Sequence, residues 1–283
     1  MIQVLGKGKT FLTQVELEEV RKDTSILDDA LWVDLLHPTP DEEEFVEHYL
    51  KIEIPSKAEM HEIEESSRLF VEDDALFMSC WLLSFESPIP ENTSVTFVLK
   101  PEHCLSIRYS DHHPFRLFSS PRKRVQPRKL RTTDDVFVEL LDAIVGSLAS
   151  TLRQVEQSLN SLSLEIFAEK EARRRPSKYS KGLKAVVQRL GKRNSLVSSL
   201  RESSLSFQNI TPFFVANANS WILPEQSARL RTIERDIRSL REYDAQLSSE
   251  INFLLDSTVG LINIEQNQSM KILSVAALLL AFI

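Results

Sequence analysis

The sequence predicts an α+β protein in which an N-terminal mixed α/β domain is followed by a helical hairpin and a very long C-terminal helix. Short apolar runs separated by turn residues fill residues 1–120, and apolar residues at helical spacing follow over residues 134–207. No proline occurs after Pro224. Only six of the 283 residues are glycine, which disfavours doubly wound nucleotide-binding folds, because those folds need glycines in their phosphate loops.

Short strands and helices alternate in the predicted N-terminal domain. Residues 30–36 read as a buried strand, and Thr39 or Asp41 is expected to cap a short acidic helix behind it. Another short helix is predicted at 55–67. The further predicted strands are 67–72, 75–83, 93–100 and 104–109, with a turn at Asp73-Asp74. These strands predict an antiparallel meander with helices packed nearby.

A connector and two helices are predicted next. Residues 119–133 are basic and interrupted by proline, which is typical of a connector. Asp134-Asp135 is then expected to cap a helix that runs to about residue 167. Pro176 interrupts the pattern, and a second helix is predicted at 179–207. Two such helices with a short connection are expected to form an antiparallel hairpin.

The last predicted helix, residues 224–283, is too long for a compact domain. At roughly 1.5 Å per residue it would extend about 90 Å, so it is a stalk, a coiled coil or a route into a membrane. Its final twelve residues, 272–283, carry no charge and are apolar on every side. A complete span needs about 20 apolar residues, so this segment is either a truncated span or a buried core helix.

One face of this helix carries an unusual set of side chains. The expected pore-lining residues follow one another at helical spacing: Asp256, Asn263, Asn267, Met270, Leu273 and Ala277. If several copies surround an axis, a ring of Asp256 carboxylates concentrates cations, and Asn267 amides accept hydrogen bonds from a hydrated ion. Rings of Met270 and Leu273 would form a dry constriction. The alternative is a solvated polar face of a stalk.

Composition excludes some classes of protein. The net charge of −7 argues against general nucleic-acid binding, which needs a basic field. The two cysteines, Cys80 and Cys104, form no Cys-x-x-Cys pair, which is typical of a reducing compartment. Residues 1–7 do not resemble a signal peptide, so most of the chain is expected in the cytoplasm. The sequence contains no nucleophile and base at a spacing that would indicate an enzyme.

Several segments resemble the CorA family of divalent-cation (magnesium) transporters. Residues 261–267, Leu-Ile-Asn-Ile-Glu-Gln-Asn, and 270–275, Met-Lys-Ile-Leu-Ser-Val, are similar to the end of that family's stalk helix and the start of its first transmembrane helix. Residues 32–35, 66–74 and 114–118 resemble parts of its N-terminal domain. The resemblance runs through the whole chain in order. The family's Gly-Met-Asn signature and second span do not occur in these 283 residues, so the ion preference stays open.

The resemblance implies an architecture and a function. It implies a homopentamer in the plasma (inner) membrane, in contact with lipid, with a cytoplasmic α/β funnel and a stalk helix that continues into the pore. The transported ion would be Mg²⁺, with Co²⁺, Ni²⁺ and Zn²⁺ as further candidates. A regulatory Mg²⁺ would bind between protomers at Glu86 and Asp236, and Mg²⁺ suits such a loose pair because it keeps several waters. The alternative for each carboxylate is a solvated surface acid.

Four segments follow as predicted domains. They are an α/β cytoplasmic domain at 1–125, a helical hairpin at 134–220, a long stalk helix at 221–271, and a truncated start of the first transmembrane helix at 272–283. The leading functional hypothesis is the cytoplasmic and stalk portion of a divalent-metal channel-transporter gated by intracellular Mg²⁺. The alternative is a soluble helical scaffold or coiled-coil adaptor, whose long helix would pair with a partner.

Overall fold

A computed structural model of the chain describes residues 1–62, 64–119, 130–167, 176–218 and 220–281. Most of the basic connector predicted at 119–133 lies outside these residues, as do the two last positions of the chain. Among the residues described, no helix contains a stretch that is long and apolar enough to cross a membrane.

The N-terminal part contains seven strands and five short α-helices among the residues described. The strands are β1 (Ile2–Gly6), β2 (Thr13–Val15), β3 (Ala30–Leu36), β4 (Leu69–Glu72), β5 (Ala75–Ser84), β6 (Glu91–Leu99) and β7 (Cys104–Arg108). The helices are α1 (Leu17–Lys22), α2 (Ser25–Asp28), α3 (Pro40–Leu50), α4 (Glu65–Arg68) and α5 (His113–Arg116), with a 3₁₀ turn at Glu59–His61. Three long helices follow: α6 (Thr133–Ile166), α7 (Pro176–Asn217) and α8 (Pro224–Ala281).

All seven strands form one mixed sheet in the order β2-β1-β3-β7-β6-β5-β4. Strands β4 to β7 form the predicted antiparallel meander. Strand β3 pairs with β7 in parallel, with Val33 opposite Leu105. The sheet followed by the very long C-terminal helix confirms the predicted mixed α/β domain and long helix.

The two faces of the sheet are buried against different elements. Successive side chains of a strand point to opposite faces. Val33 belongs to a core cluster that also contains Val20 of α1 and Val46 of α3. Its neighbour Trp32 instead has its ring centroid 5.2 Å from that of Phe118, and other aromatic contacts extend this second core into the long helices. The sheet is therefore covered by the short helices on one face and by α5 and the long helices on the other.

Several local predictions are confirmed in detail. Thr39, rather than Asp41, caps α3: its hydroxyl accepts the Glu42 N–H at 3.3 Å, and the Glu42 carboxylate accepts the Thr39 N–H at 2.8 Å. Asp73 and Asp74 have positive φ values of 47° and 59°, which is the conformation a tight turn requires. The strand at 30–36 and the start of the last helix at Pro224 agree with prediction.

Other local predictions are wrong. The helix expected at 55–67 is reduced to the 3₁₀ turn and α4, and the strand expected from 67 begins at Leu69. Ser56 and Glu59 bond to each other's backbone N–H groups, and Ser94 donates to the Met60 carbonyl at 2.5 Å. The reciprocal Ser56–Glu59 bonds have the pattern of a capping box at the start of the 3₁₀ turn, whereas the bond from Ser94 occupies a carbonyl that a continuous helix would use. Strands β1 and β2 were not predicted from the sequence, and the second long helix extends ten residues beyond its predicted end, to Asn217.

Two compact units make up the chain. The first contains Met1–Ala149 and Ser199–Arg241, and the second contains Ser150–Ser198 and Glu242–Ile283. In the second unit, the end of α6 contacts α7 through Arg189, whose Nη1 lies 2.6 Å from Glu165 Oε2, and through Arg193, whose Nε donates to Ser158 Oγ at 3.0 Å. Its apolar core includes Leu159, Leu190, Leu247, Ile251 and Leu254.

Candidate functional site

The six residues predicted to line a pore all lie on α8. At about 100° per residue, Asp256, Asn263, Asn267, Met270 and Ala277 fall within an arc of about 80°, and Leu273 lies about 40° beyond its edge. We call these six residues the stripe. Ser274 is five turns from Asp256 and projects near the middle of the same arc. The helix thus brings five of the six onto one face, and their role in a pore stays a prediction.

The stripe belongs to a part of α8 that this chain leaves uncovered. Met270 and Leu273 are 66% and 69% exposed, and every described residue from Gln266 onward is exposed. The exposed set includes the large apolar residues Ile272, Val275, Leu278, Leu279 and Leu280. Soluble monomers rarely expose a continuous apolar surface of this kind, which is typical of segments that contact another protein or a membrane.

Glu86, the first predicted regulatory ligand, follows β5 and is exposed. Its Oε1 accepts the Asp111 N–H at 2.9 Å. This hydrogen bond, together with Ser110 and the imidazoles of His37 and His112, holds the pKa of the Glu86 carboxyl below its usual value against the opposing effect of burial. The carboxylate is therefore ionised at neutral pH and tied to the loop after β7. The sequence did not predict this hydrogen bond.

Asp236, the second predicted ligand, is an exposed residue of α8. Within the described parts of the chain, no three or more His, Cys, Asp or Glu side chains are grouped so that they could hold a metal ion. Glu86 and Asp236 do not complete such a site in one chain, and they were predicted to act between protomers. Exposed carboxylates fit a Mg²⁺ ion that keeps most of its water. The regulatory assignment thus stays a prediction.

A buried ion pair fixes the end of β7, directly before the loop that binds Glu86. Arg108 Nη2 lies 2.7 Å from Asp34 Oδ2, and both side chains are at most 2% exposed. Ser106 Oγ donates to Asp34 Oδ1 at 2.5 Å, and the Arg108 guanidinium lies 4.4 Å from the centre of the Phe115 ring. This network was not predicted from the sequence, although an aspartate inside the apolar run of β3 is a signal for a buried polar contact.

His112 lies in the same loop and is only 1% exposed. The sequence alone is compatible with a solvated polar loop at Asp111-His112-His113. In the structure, His112 Nε2 is 2.8 Å from Thr93 Oγ1 of β6. Burial, and to a lesser extent the charge of Arg108, lowers the pKa of His112 to about 4. The imidazole is therefore neutral at physiological pH and joins the loop to the sheet.

Comparison with known proteins establishes first the fold and then the family. The complete structure of the CorA magnesium transporter from Methanocaldococcus jannaschii superimposes with a TM-score of 0.70 and 17% identity, over 97% of this chain and 81% of that one. At that identity the likeness shows the fold. A family model described as CorA-like Mg²⁺ transporter protein matches residues 28–281. The chain therefore belongs to the CorA-like Mg²⁺ transporter family.

Curated relatives agree with this assignment. The magnesium transport protein CorA of Mannheimia succiniciproducens is 29% identical over 281 residues, which cover 99% of this chain and 84% of that protein. The magnesium transport protein CorA of Salmonella typhimurium is 28% identical over 280 residues, which cover 98% and 83%. The resemblance found in the sequence is thus confirmed. Members of this family are transporters and not enzymes, which agrees with the prediction from the sequence.

Proposed function

We propose that this chain forms the cytoplasmic and stalk portion of a homopentameric channel-transporter that carries Mg²⁺ across the plasma (inner) membrane. The observation that carries this proposal is α8, a single helix of 58 residues whose last turns are exposed and apolar and whose stripe passes from acid to amide to thioether. The names of the chain's relatives supply the ion, Mg²⁺. Co²⁺, Ni²⁺ and Zn²⁺ are the further candidate ions.

In this proposal, α8 surrounds the conduction path in five copies. A ring of Asp256 carboxylates raises the local concentration of cations, as a cleft lined by one sign of charge does. Asn263 and Asn267 present amide oxygens that accept hydrogen bonds from a hydrated ion, and Met270 and Leu273 form a constriction that closes by excluding water. Ala277 continues the path. Residues 272–283 enter the bilayer as the start of the first transmembrane helix, and the exposed apolar side chains described up to Ala281 face lipid or neighbouring copies.

The remaining residues have regulatory and supporting roles in the proposal. Residues 1–125 form the cytoplasmic α/β funnel, 134–220 the helical hairpin and 221–271 the stalk. A regulatory Mg²⁺ binds between protomers at Glu86 and Asp236 and closes the pore when cytoplasmic Mg²⁺ is high. The exposure of both carboxylates and the lowered pKa of Glu86 support this role, because they keep charged oxygen ligands available at neutral pH.

Transport by the full-length protein tests the proposal against the scaffold alternative. We would reconstitute the full-length gene product in liposomes that contain a Mg²⁺-sensitive dye and measure uptake along an imposed gradient. A transporter gives uptake above that of empty liposomes and liposomes containing an unrelated membrane protein. A coiled-coil adaptor gives none, even if it forms a defined oligomer. Absence of uptake by protein that is folded and inserted would contradict the proposed function.

A further inference from the structure

Two helix N-termini meet around a pair of adjacent aspartates, Asp134 and Asp135. Asp134 is in the first turn of α6 and is only 1% exposed. Its Oδ2 accepts the N–H of Leu223 at 2.9 Å. Leu223 is the residue before α8, and its carbonyl accepts the first bond of that helix, from Ser227 N–H at 3.0 Å. Asp134 therefore binds the backbone at the position where α8 begins.

Asp135 binds the next turn of α8. Its Oδ1 accepts a hydrogen bond from Gln226 Nε2 at 2.7 Å, and its Oδ2 accepts the Arg131 N–H at 3.0 Å. Gln226 is 4% exposed, so this contact is made away from solvent. We refer to Asp134 and Asp135 with their partners Leu223 and Gln226 as the aspartate clamp. Carboxylates are favoured here because a helix N-terminus carries partial positive charge and unpaired N–H groups, and Asp134 accepts the N–H of Leu223 at the start of α8.

Further contacts connect the clamp to the rest of its unit. Thr133 Oγ1 donates to the carbonyl of Pro101 at 2.9 Å, and Pro101 lies in the turn between β6 and β7. One turn beyond Gln226, Arg229 Nη2 is 2.8 Å from Glu139 Oε2 and 3.3 Å from Asp142 Oδ2. A continuous series of polar contacts thus runs from the sheet, through the start of α6, to the first two turns of α8.

We propose that the aspartate clamp, with Asp134 at its centre, positions α8 for transport by fixing where that helix begins and how it is rotated about its axis. This inference rests on the proposed function. Because α8 is one helix from Pro224 to Ala281, its first turn and its stripe share one helical register. A conformational change of the N-terminal α/β domain moves the β6–β7 turn and α6. The clamp passes that movement to the start of α8, the helix that carries the stripe.

The first test measures amide hydrogen exchange over residues 223–229 in the full-length protein. Asp134→Ala removes the acceptor of the Leu223 N–H, and we expect exchange in this segment to accelerate about tenfold or more, because the lost bond involves a charged group. Asp134→Asn keeps an acceptor oxygen and should stay close to wild type. Glu165→Ala is the matched control, since Glu165 is an acid of the same helix that is 46% exposed and pairs with Arg189 of α7. Unchanged exchange in Asp134→Ala would overturn the clamp.

The second test separates positioning from stability. Uptake is measured in liposomes as a function of the Mg²⁺ concentration on the cytoplasmic side, well below each variant's Tm. We expect Asp134→Ala to raise the concentration that halves uptake about twofold or more, and Asp134→Asn to restore it. A lower Tm with an unchanged Mg²⁺ dependence would show that the clamp only stabilises the fold, and would overturn the proposal.

Two further outcomes are informative. If Asp134→Ala does not fold, Gln226→Met replaces it, because this change breaks the Asp135 contact and leaves Asp134 in place. The same accelerated exchange and shifted Mg²⁺ dependence are then expected, and their absence counts against the clamp. If the wild-type protein carries no Mg²⁺, the proposed function fails, whereas the exchange measurement still decides whether the clamp holds the start of α8.

Discussion

Arg108 and Asp34 show how much a single pair of residues contributes to the end of β7. The pair is buried, and Ser106 and Trp32 extend it, because the Trp32 indole donates to Ser106 Oγ at 2.9 Å and Ser106 donates to Asp34. An ion pair in such a place stabilises little compared with apolar residues of the same volume. Loss of one partner, in contrast, leaves an uncompensated charge. The network therefore fixes the loop that holds Glu86 more than it adds to stability.

Our first prediction concerns this pair. Arg108→Met should lower the free energy of unfolding by about 3–5 kcal/mol, because it leaves Asp34 charged and buried. The double variant Asp34→Leu with Arg108→Met should recover a large part of that loss. Urea unfolding of the three proteins measures both values. A loss below about 1 kcal/mol in the single variant, as for an exposed pair, would contradict the assignment.

The second prediction concerns His112 and pH. Its pKa is lowered to about 4 in the folded chain, whereas an unfolded histidine titrates near 6.5, so the unfolded state binds the proton more readily. The unfolding free energy should therefore be unaffected by this group above pH 6.5 and should fall by up to about 3 kcal/mol as pH decreases from about 6.5 to 4.

A pH series of unfolding measurements checks this prediction with two variants. His112→Gln should flatten the decrease between pH 6.5 and 4, because no imidazole remains to be protonated at that buried position. His113→Gln is the matched control, since His113 is the adjacent histidine and is exposed. If His112→Gln follows the wild-type curve over this interval, His112 does not cause the decrease.

Helix α8 combines two different surfaces along one element. Its N-terminal turns carry buried residues such as Leu230, Ile233 and Ile237, spaced three or four apart as expected for one packed face. Beyond Gln266 all described residues are exposed. The regular spacing of the stripe, from Asp256 to Ala277, crosses this change without interruption. The packed face and the stripe are thus two surfaces of one helix, and the pore role predicted for the stripe depends on the face that its residues share.

The third prediction tests the stripe as a helical face. In the full-length protein, Asn267→Ala and Asp256→Ala should each reduce Mg²⁺ uptake, whereas Gln268→Ala should not, because residue 268 points about 100° away from Asn267. We expect a reduction of about fivefold or more for the loss of a charged or amide ring at the pore. Wild-type uptake in both the Asn267 and Asp256 variants would remove the pore assignment.

A gain of function tests the constriction on the same helix. Leu273→Asp should hydrate the constriction and cause a leak that high Mg²⁺ no longer closes. Ile272→Asp is the control, because residue 272 lies on the side of α8 opposite Asp256, so its carboxylate would not enter the conduction path. Dye-loaded liposomes report the leak for both variants. A leak of equal size in both would indicate general damage to the helix.

At the scale of the whole molecule, the fourth prediction is that the chain assembles in five copies and that Mg²⁺ stabilises the assembly. Each chain carries a net charge of −7, so five copies repel one another and a bound cation offsets that repulsion. Mass measurement in detergent should show a pentamer. Monomers or dimers alone would contradict the five-fold arrangement. A cation that binds only the assembled state adds about 2.7 kcal/mol at roughly 100 times its Kd.

Variants of Glu86 distinguish a Mg²⁺ site from charge screening. Mg²⁺ should raise the Tm more than NaCl does at equal ionic strength, and Glu86→Gln should reduce that difference while keeping an acceptor for the Asp111 N–H. Glu91→Gln changes another exposed acid of the same hairpin and serves as the control. Because the pKa of Glu86 is lowered, the Mg²⁺ effect should persist at mildly acidic pH. Equal protection by both salts would leave only a charged surface.

The sequence by itself determined the features that are encoded over a few neighbouring residues. The apolar run at 30–36, the turn at Asp73-Asp74 and the start of α8 at Pro224 are local signals, and the structure confirms each of them. The stripe could also be placed on one face from spacing alone, because a helix has a fixed period. Similarity over the whole chain further identified the family.

Only the tertiary structure decided which distant residues meet. Asp34 and Arg108 are 74 residues apart, Asp134 and Leu223 are 89 apart, and Glu86 and Asp111 are 25 apart. No local period relates such positions, since each contact depends on the order of strands in the sheet or on the way long helices return to it. The parallel pairing of β3 with β7 and the aspartate clamp therefore follow from the packed core, which brings together chain segments that the sequence keeps apart.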